Sequence, residues 1–144
     1  MTSSIYDPLG IVSPIPLLAK KLLQDLCKQG LTWDKEIVGE KYQFWRRWLS
    51  DLPMLSSVAL PICLEAIDFG WVQNAELHHF ADASQIGYGT VSYARVVSEN
   101  GRTHCSFFAG KSRVAHVKQM TIPRLELSAA LLAVRMNQTL QEEF

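Results

Sequence analysis

The chain has 144 residues, of which 48% are hydrophobic, 10% aromatic and 19% charged. That suffices for one or at most two small domains, since a folded chain of this size buries about 68–70% of the surface its unfolded form exposes. Fourteen Lys and Arg balance fourteen Asp and Glu, which excludes a histone-like polycation, an acidic disordered tail and a polybasic membrane-surface binder.

No run reaches the ~18 apolar residues of a membrane span. The apolar stretch 11–19 is broken by Pro14 and Pro16 and has no basic segment ahead of it, so a secretory signal is not expected. Pro14 and Pro16 instead suit the start of a helix, where a missing N–H costs little. Leu18, Leu22 and Leu26 recur at intervals of four with Leu17 and Leu23 beside them, and Gly30 is the expected C-cap. A second helix is expected from about Glu40, with Phe44, Trp45, Trp48, Leu49 and Leu52 as its apolar stripe. Arg46 and Arg47 face away, and Pro53 ends it. The aromatic stripe reads either as a base-stacking platform or as a core stripe, and its helical spacing favours the core. Residues 55–73 read as extended and irregular, either a strand pair or a surface linker.

Near residue 70 the period changes. A short strand is expected over 76–81, ending in Asp82-Ala83-Ser84, and a second over 87–97, rich in β-branched and aromatic residues. Asn100-Gly101 is a strong hairpin signal. The return strand over 102–109 carries Cys105 and Phe107 on one face and His104, Ser106 and Phe108 on the other. A loop over 110–120 leads to Thr121 as N-cap and Pro123 in the first turn of a long helix. Leu125, Ala129, Leu132, Met136 and Leu140 form one face of that helix, and Leu127, Leu131 and Val134 widen it. Cys27, Cys63 and Cys105 are far apart in apolar company and predict reduced, partly buried thiols of an intracellular protein.

Six acids follow residue 75: Glu76, Asp82, Glu99, Glu126, Glu142 and Glu143. Only Asp82, at a strand end, and Glu126, in the first turn of the long helix, stand where they could converge over one sheet. Two carboxylates brought together repel unless a cation lies between them, and Mg²⁺ accepts such hard oxygen ligands. The plainer alternative is a turn Asp capping its loop and a Glu serving the helix dipole. Between Glu99 and Glu126 there is no acid, while Arg102, Lys111, Arg113, Lys118 and Arg124 fall there with His104 and His116. That strip suits a polyanion held near a metal, or is ordinary solvated charge.

Several ordered motifs resemble one family. Phe80-Ala81-Asp82-Ala83-Ser84, Gly87-Tyr88-Gly89, Phe108-Ala109-Gly110-Lys111-Ser112-Arg113-Val114-Ala115 and Ile122-Pro123-Arg124-Leu125-Glu126-Leu127 are similar to the start of the ribonuclease H domain of Pao-type (BEL/Pao) retrotransposon polyproteins. Upstream, Ser4-Ile5-Tyr6-Asp7-Pro8-Leu9-Gly10-Ile11-Val12-Ser13-Pro14, Leu31-Thr32-Trp33-Asp34 and Trp48-Leu49-Ser50-Asp51-Leu52-Pro53 resemble the segment after the reverse transcriptase core of the same polyprotein.

The resemblance implies an α+β chain. Residues 1–70 would be a helical, thumb-like connection and 71–144 a truncated RNase H-like β-β-β-α unit, an antiparallel three-stranded sheet with one long helix. It implies an RNA–DNA hybrid nuclease using Mg²⁺, with Asp82 and Glu126 as metal-binding and catalytic carboxylates. Lys111, Arg113, Lys118 and Arg124 would meet the nucleic acid. The partners implied are the hybrid and the remaining polyprotein, in the cytoplasm, nucleus or virus-like particles, with no membrane. The family's site needs two further acids, which Glu142 and Glu143 do not supply, because sixteen helical residues put them about 24 Å from Glu126. The chain, which stops at Phe144 within the helix, is therefore expected to be a polyprotein piece with little or no nuclease activity of its own.

Rival readings are a non-catalytic module that holds nucleic acid or packs on the polymerase, and an aspartic peptidase. The second is poorly supported, because Ala83 and Ser84 break the Asp-Ser/Thr-Gly pattern that two carboxylates sharing a proton require. His78 and His79, adjacent in a strand, would point to opposite faces and so do not make a shared metal site.

Overall fold

Pro14 and Pro16 open α1 (Pro14–Lys28), in the computed structural model, which describes residues 5–59, 68–118 and 120–143. This helix buries Pro16, Ala19 and Leu22. Leu18, expected on the buried face, is instead 46% exposed. One residue is ~100° of helical turn, so a face centred on Ala19 and Leu22 leaves Leu18 at its margin. The C-terminus closes as expected, with Leu31 N–H donating to Leu26 O (3.3 Å) and Gly30 N–H to Cys27 O (3.0 Å), the Schellman pairing.

The second helix, α2 (Glu40–Asp51), continues past Pro53 as a 3₁₀ turn, Leu52–Ser57. Trp48 is buried and its Nε1 donates to Ile15 O of α1 at 3.1 Å, while Trp45 stacks on it at 5.1 Å. The aromatic stripe thus joins two helices. Of the irregular stretch 55–73, residues 60–67, including Cys63, lie outside the described residues. Cys27 and Cys105, expected to be partly buried, are exposed.

Three twelve-residue strands follow: β1 (Val72–Ala83), β2 (Gly87–Ser98) and β3 (Thr103–Val114). They form one antiparallel sheet in the order β1-β2-β3. The β2–β3 hairpin turns at Asn100-Gly101, where Gly101 N–H donates to Ser98 O at 2.9 Å. The first and third strands are longer than expected, and residues 110–114 of the anticipated 110–120 loop are strand. The start of β2 recruits it: Thr90 pairs with Lys111, Gly89 with Ser112 and Tyr88 with Arg113. A bulge at Phe108 lies between the pairs Tyr93–Phe107 and Ser92–Ala109. One extra residue inverts the alternation, so from Ala109 onward the side chains exchange faces.

The last helix, α3 (Ile122–Glu143), covers one face of the sheet, against β1 and β2. Tyr88, Ala115, Leu125, Ala129 and Leu132 form the core cluster, with Ala83, Met120 and Ile122 packed against it. Each buried leucine contributes about 1.5–3 kcal/mol. His79 is paired under the helix: its Nδ1 lies 2.7 Å from Ser92 Oγ, and its Nε2 lies 2.9 Å from Asn137 Oδ1. Leu127, Leu131 and Val134, expected to widen the buried surface, are exposed. A helix laid on a single layer buries only one stripe.

The opposite face carries Phe80, Tyr93 and Phe107, edge to face at 6.1 Å in both pairs. Leu17 of α1 caps one end of it, approaching Gly87 so closely that a Cβ there would lie 3.2 Å from Leu17 Cδ2. Preceding α1, Leu9 O accepts the Gly110 N–H at 2.7 Å and so occupies the outer edge of β3.

On this open face Glu76 accepts from Arg95 (3.0 Å) and Asn74 (3.0 Å), with His78 Nε2 at 3.2 Å. The His78 hydrogen bond, then that of Arg95, holds the Glu76 carboxyl below its ordinary pKa. A depressed carboxylate stabilises the fold above its unfolded-state pKa and loses that contribution as pH falls through the folded value. A carboxyl NMR titration should therefore give Glu76 a midpoint below that of an unperturbed glutamate. His78→Ala should raise it most and Arg95→Gln next; an unshifted wild-type midpoint would contradict the geometry.

Candidate functional site

Asp82 is the penultimate residue of β1 rather than the residue beyond its end, and is paired across the ladder with Gly89. Strand alternation puts it on the face opposite α3, and the missing side chain at Gly89 leaves room beside it. It is exposed and lines a cavity of about 500 Å³ shared with Phe80, Tyr93, Phe107 and Lys111 of the sheet and Leu17 of α1.

Glu126 is the fifth residue of α3, and the first turn of that helix holds no acid. The expectation of a first-turn position is thus off by one residue, and the dipole's influence weakens over that distance. Glu126 is exposed beside Leu125, which is 2% exposed. Ala83, the neighbour of Asp82, packs against the core cluster that contains Leu125, so the end of β1 and the start of α3 adjoin one cluster. Glu126 is not part of the lining of the Asp82 cavity. Among the described residues neither carboxylate has an ion pair or side-chain hydrogen bond. No group of three or more His, Cys, Asp or Glu among them is arranged to hold a metal. Each is a solvated carboxylate, the kind of hard oxygen donor that Mg²⁺ takes one or two of while water and substrate phosphates complete its shell.

Lys111 and Arg113 are exposed on β3, Lys118 follows in the loop, and Arg124 stands in the first turn of α3. Lys111 and Arg113 share a second cavity, of about 690 Å³, with Lys20 of α1 and Arg135 of α3. Lys118 and Arg124 do not line it. Nothing local in the sequence links Lys20 or Arg135 to the 99–126 strip; only the packing of α1 and α3 does so. His104 and His116 make ring contacts with Phe69 (6.2 Å) and Tyr88 (6.3 Å). His78 and His79 point to opposite faces, as expected.

A family model, the Pao retrotransposon-like RNaseH-like domain, matches residues 1–144. Neither the curated proteins nor the solved structures contain a match to this chain.

Proposed function

The chain belongs to the Pao retrotransposon-like RNaseH-like domain family, and from that premise we propose that it is the part of a retrotransposon polyprotein that handles RNA–DNA hybrids. Hydrolysis of the RNA strand is the parent reaction, and Asp82 and Glu126 are its metal-binding carboxylates. The observation that carries this reading is that, among the described residues, neither carboxylate has an ion pair or side-chain hydrogen bond, and that their neighbours meet at one cluster, Leu125 within it and Ala83 packed against it. In the same reading residues 1–70 serve as the helical connection to the polymerase and 71–144 as the RNase H-like unit, with the rest of the polyprotein as partner. No helix among the described residues is long and apolar enough to cross a membrane.

A Mg²⁺ ion held by the two carboxylates would supply Lewis acidity at a phosphodiester. Asp82 and Glu126 contribute the hard anionic oxygens, and the cations of β3 and α3 hold the phosphates in place. Glu142, near the other end of α3, is about 24 Å along the helix from Glu126 and takes no part. With two carboxylates in place of a full cage, the 144-residue chain is expected to cleave a labelled hybrid no faster than background in Mg²⁺, as is its Asp82→Asn variant. Robust cleavage lost in that variant would overturn the expected inactivity while retaining the site.

The site itself is tested by Mn²⁺-induced broadening of backbone amide signals. Broadening should centre on residues 82 and 126 and fade in both Asp82→Asn and Glu126→Gln. Broadening unchanged in Glu126→Gln would remove Glu126 from the site.

A further inference from the structure

The second cavity, between the start of α1, the end of β3 and the middle of α3, gathers charge that the composition does not explain. Lys20, Lys111, Arg113 and Arg135 reach it from three elements, in a chain whose formal charge is zero. The one acid in its lining is Asp7, whose Oδ2 already accepts the Val12 N–H at 3.0 Å. None of the four cations has an ion pair or side-chain hydrogen bond among the described residues. Like charges converging on a concave surface repel, and a bound anion relieves that repulsion.

We propose that this cavity is a phosphate-binding site. Its volume, about 690 Å³, lies within the range of small-ligand pockets, ~300–1,000 Å³, and exceeds the needs of one small anion. Guanidinium groups from two directions offer paired donors that match phosphate oxygens. Leu132 and Met136 add an apolar wall. The Phe108 bulge is what assembles the site, because it turns Lys111 and Arg113 onto the α3 side of the sheet, where Arg135 lies.

The source of phosphate that fits is a nucleic acid strand, and to that extent the inference rests on the function proposed above. Lys111 lines both this cavity and the one that contains Asp82, so the two adjoin at β3, although Asp82 itself stands on the other face of the sheet. Arg135 stands nine residues beyond Glu126, ~14 Å along α3, or about four nucleotides at 3.4 Å rise.

The test measures binding of a short fluorescein-labelled RNA–DNA hybrid to the full chain over a salt series, together with the melting-temperature shift caused by inorganic tripolyphosphate. Lys20→Gln combined with Arg135→Gln alters two exposed side chains, and its ligand-free melting temperature checks that it folds. This variant should lose roughly tenfold or more in hybrid affinity, show a salt slope smaller by about two, and lose the tripolyphosphate shift. Arg47→Gln, on exposed α2, should change none of these.

If the double variant matches wild type while Lys118→Gln with Arg124→Gln weakens hybrid binding, the cavity assignment is overturned and the nucleic-acid reading stands. If the chain binds no hybrid but tripolyphosphate stabilises it through Lys20 and Arg135, the phosphate site stands and its nucleic-acid source falls. Failure of both probes on wild type overturns both.

Discussion

Replacing Leu125 with alanine is expected to lower the unfolding free energy by about 2–5 kcal/mol and the melting temperature by roughly 5–15 °C. Leu125 is 2% exposed and sits with Ala129 (0%) and Leu132 (4%) in the cluster that holds α3 on the sheet. Truncation removes its burial energy and leaves a cavity that Tyr88, held in β2, and Ala115, just past the end of β3, are poorly able to fill. Leu127→Ala, two positions on but 71% exposed, should stay within ~0.5 kcal/mol of wild type. Calorimetry of the two variants distinguishes the buried from the exposed stripe of α3. Equal losses would mean that the helix is not seated as described.

Replacing Gly10 with alanine should detach the segment that precedes α1 from the edge of β3. Gly10 has φ +73°, and a Cβ there would overlap the carbonyl oxygen of Gly110. The left-handed conformation costs a non-glycine residue about 1–2 kcal/mol, and the overlap is relieved only if the segment moves away. The bond from Gly110 N–H to Leu9 O (2.7 Å) then breaks, which forfeits a further ~0.5–1.5 kcal/mol. Hydrogen exchange at the Gly110 amide reads this directly, and its protection should collapse. Gly30→Ala provides the control, since Gly30 also has positive φ (+66°) but open space around its Cβ position. It should carry the conformational cost alone and leave Gly110 protected. Because Gly10 lines both cavities, Gly10→Ala should also weaken any phosphate binding there.

Much of the architecture was legible because it is written in local periods. The Pro14/Pro16 start and Gly30 stop of α1, the Trp48 stripe, the Asn100-Gly101 hairpin and the Leu125/Ala129/Leu132 face all depend on residues a few positions apart. So does the order of three antiparallel strands followed by a helix. The same local reasoning stopped strands β1 and β3 short, because Asp82-Ala83, Lys111 and Arg113 have no strand propensity of their own and are drawn in by pairing with β2.

It also buried Leu18, Leu127, Leu131 and Val134, which are exposed, since a period shows that a helix has an apolar side but not how wide a partner covers it. For the candidate carboxylates, residue type and order in the sequence singled out Asp82 and Glu126. Their surroundings, an open-face cavity for one and the second turn of α3 for the other, follow from strand register and helix start.

By itself the amino-acid sequence determined the element types, their order, the α+β class and the family, because propensity, capping and motif are properties of neighbouring residues. Only the tertiary structure decided the faces. The bulge at Phe108, the seating of Gly10 on Gly110, and the meeting of Lys20 and Arg135 with Lys111 and Arg113 arise from packing between distant segments. A single inserted residue in a strand reverses every side chain beyond it, and no local pattern records where that insertion falls.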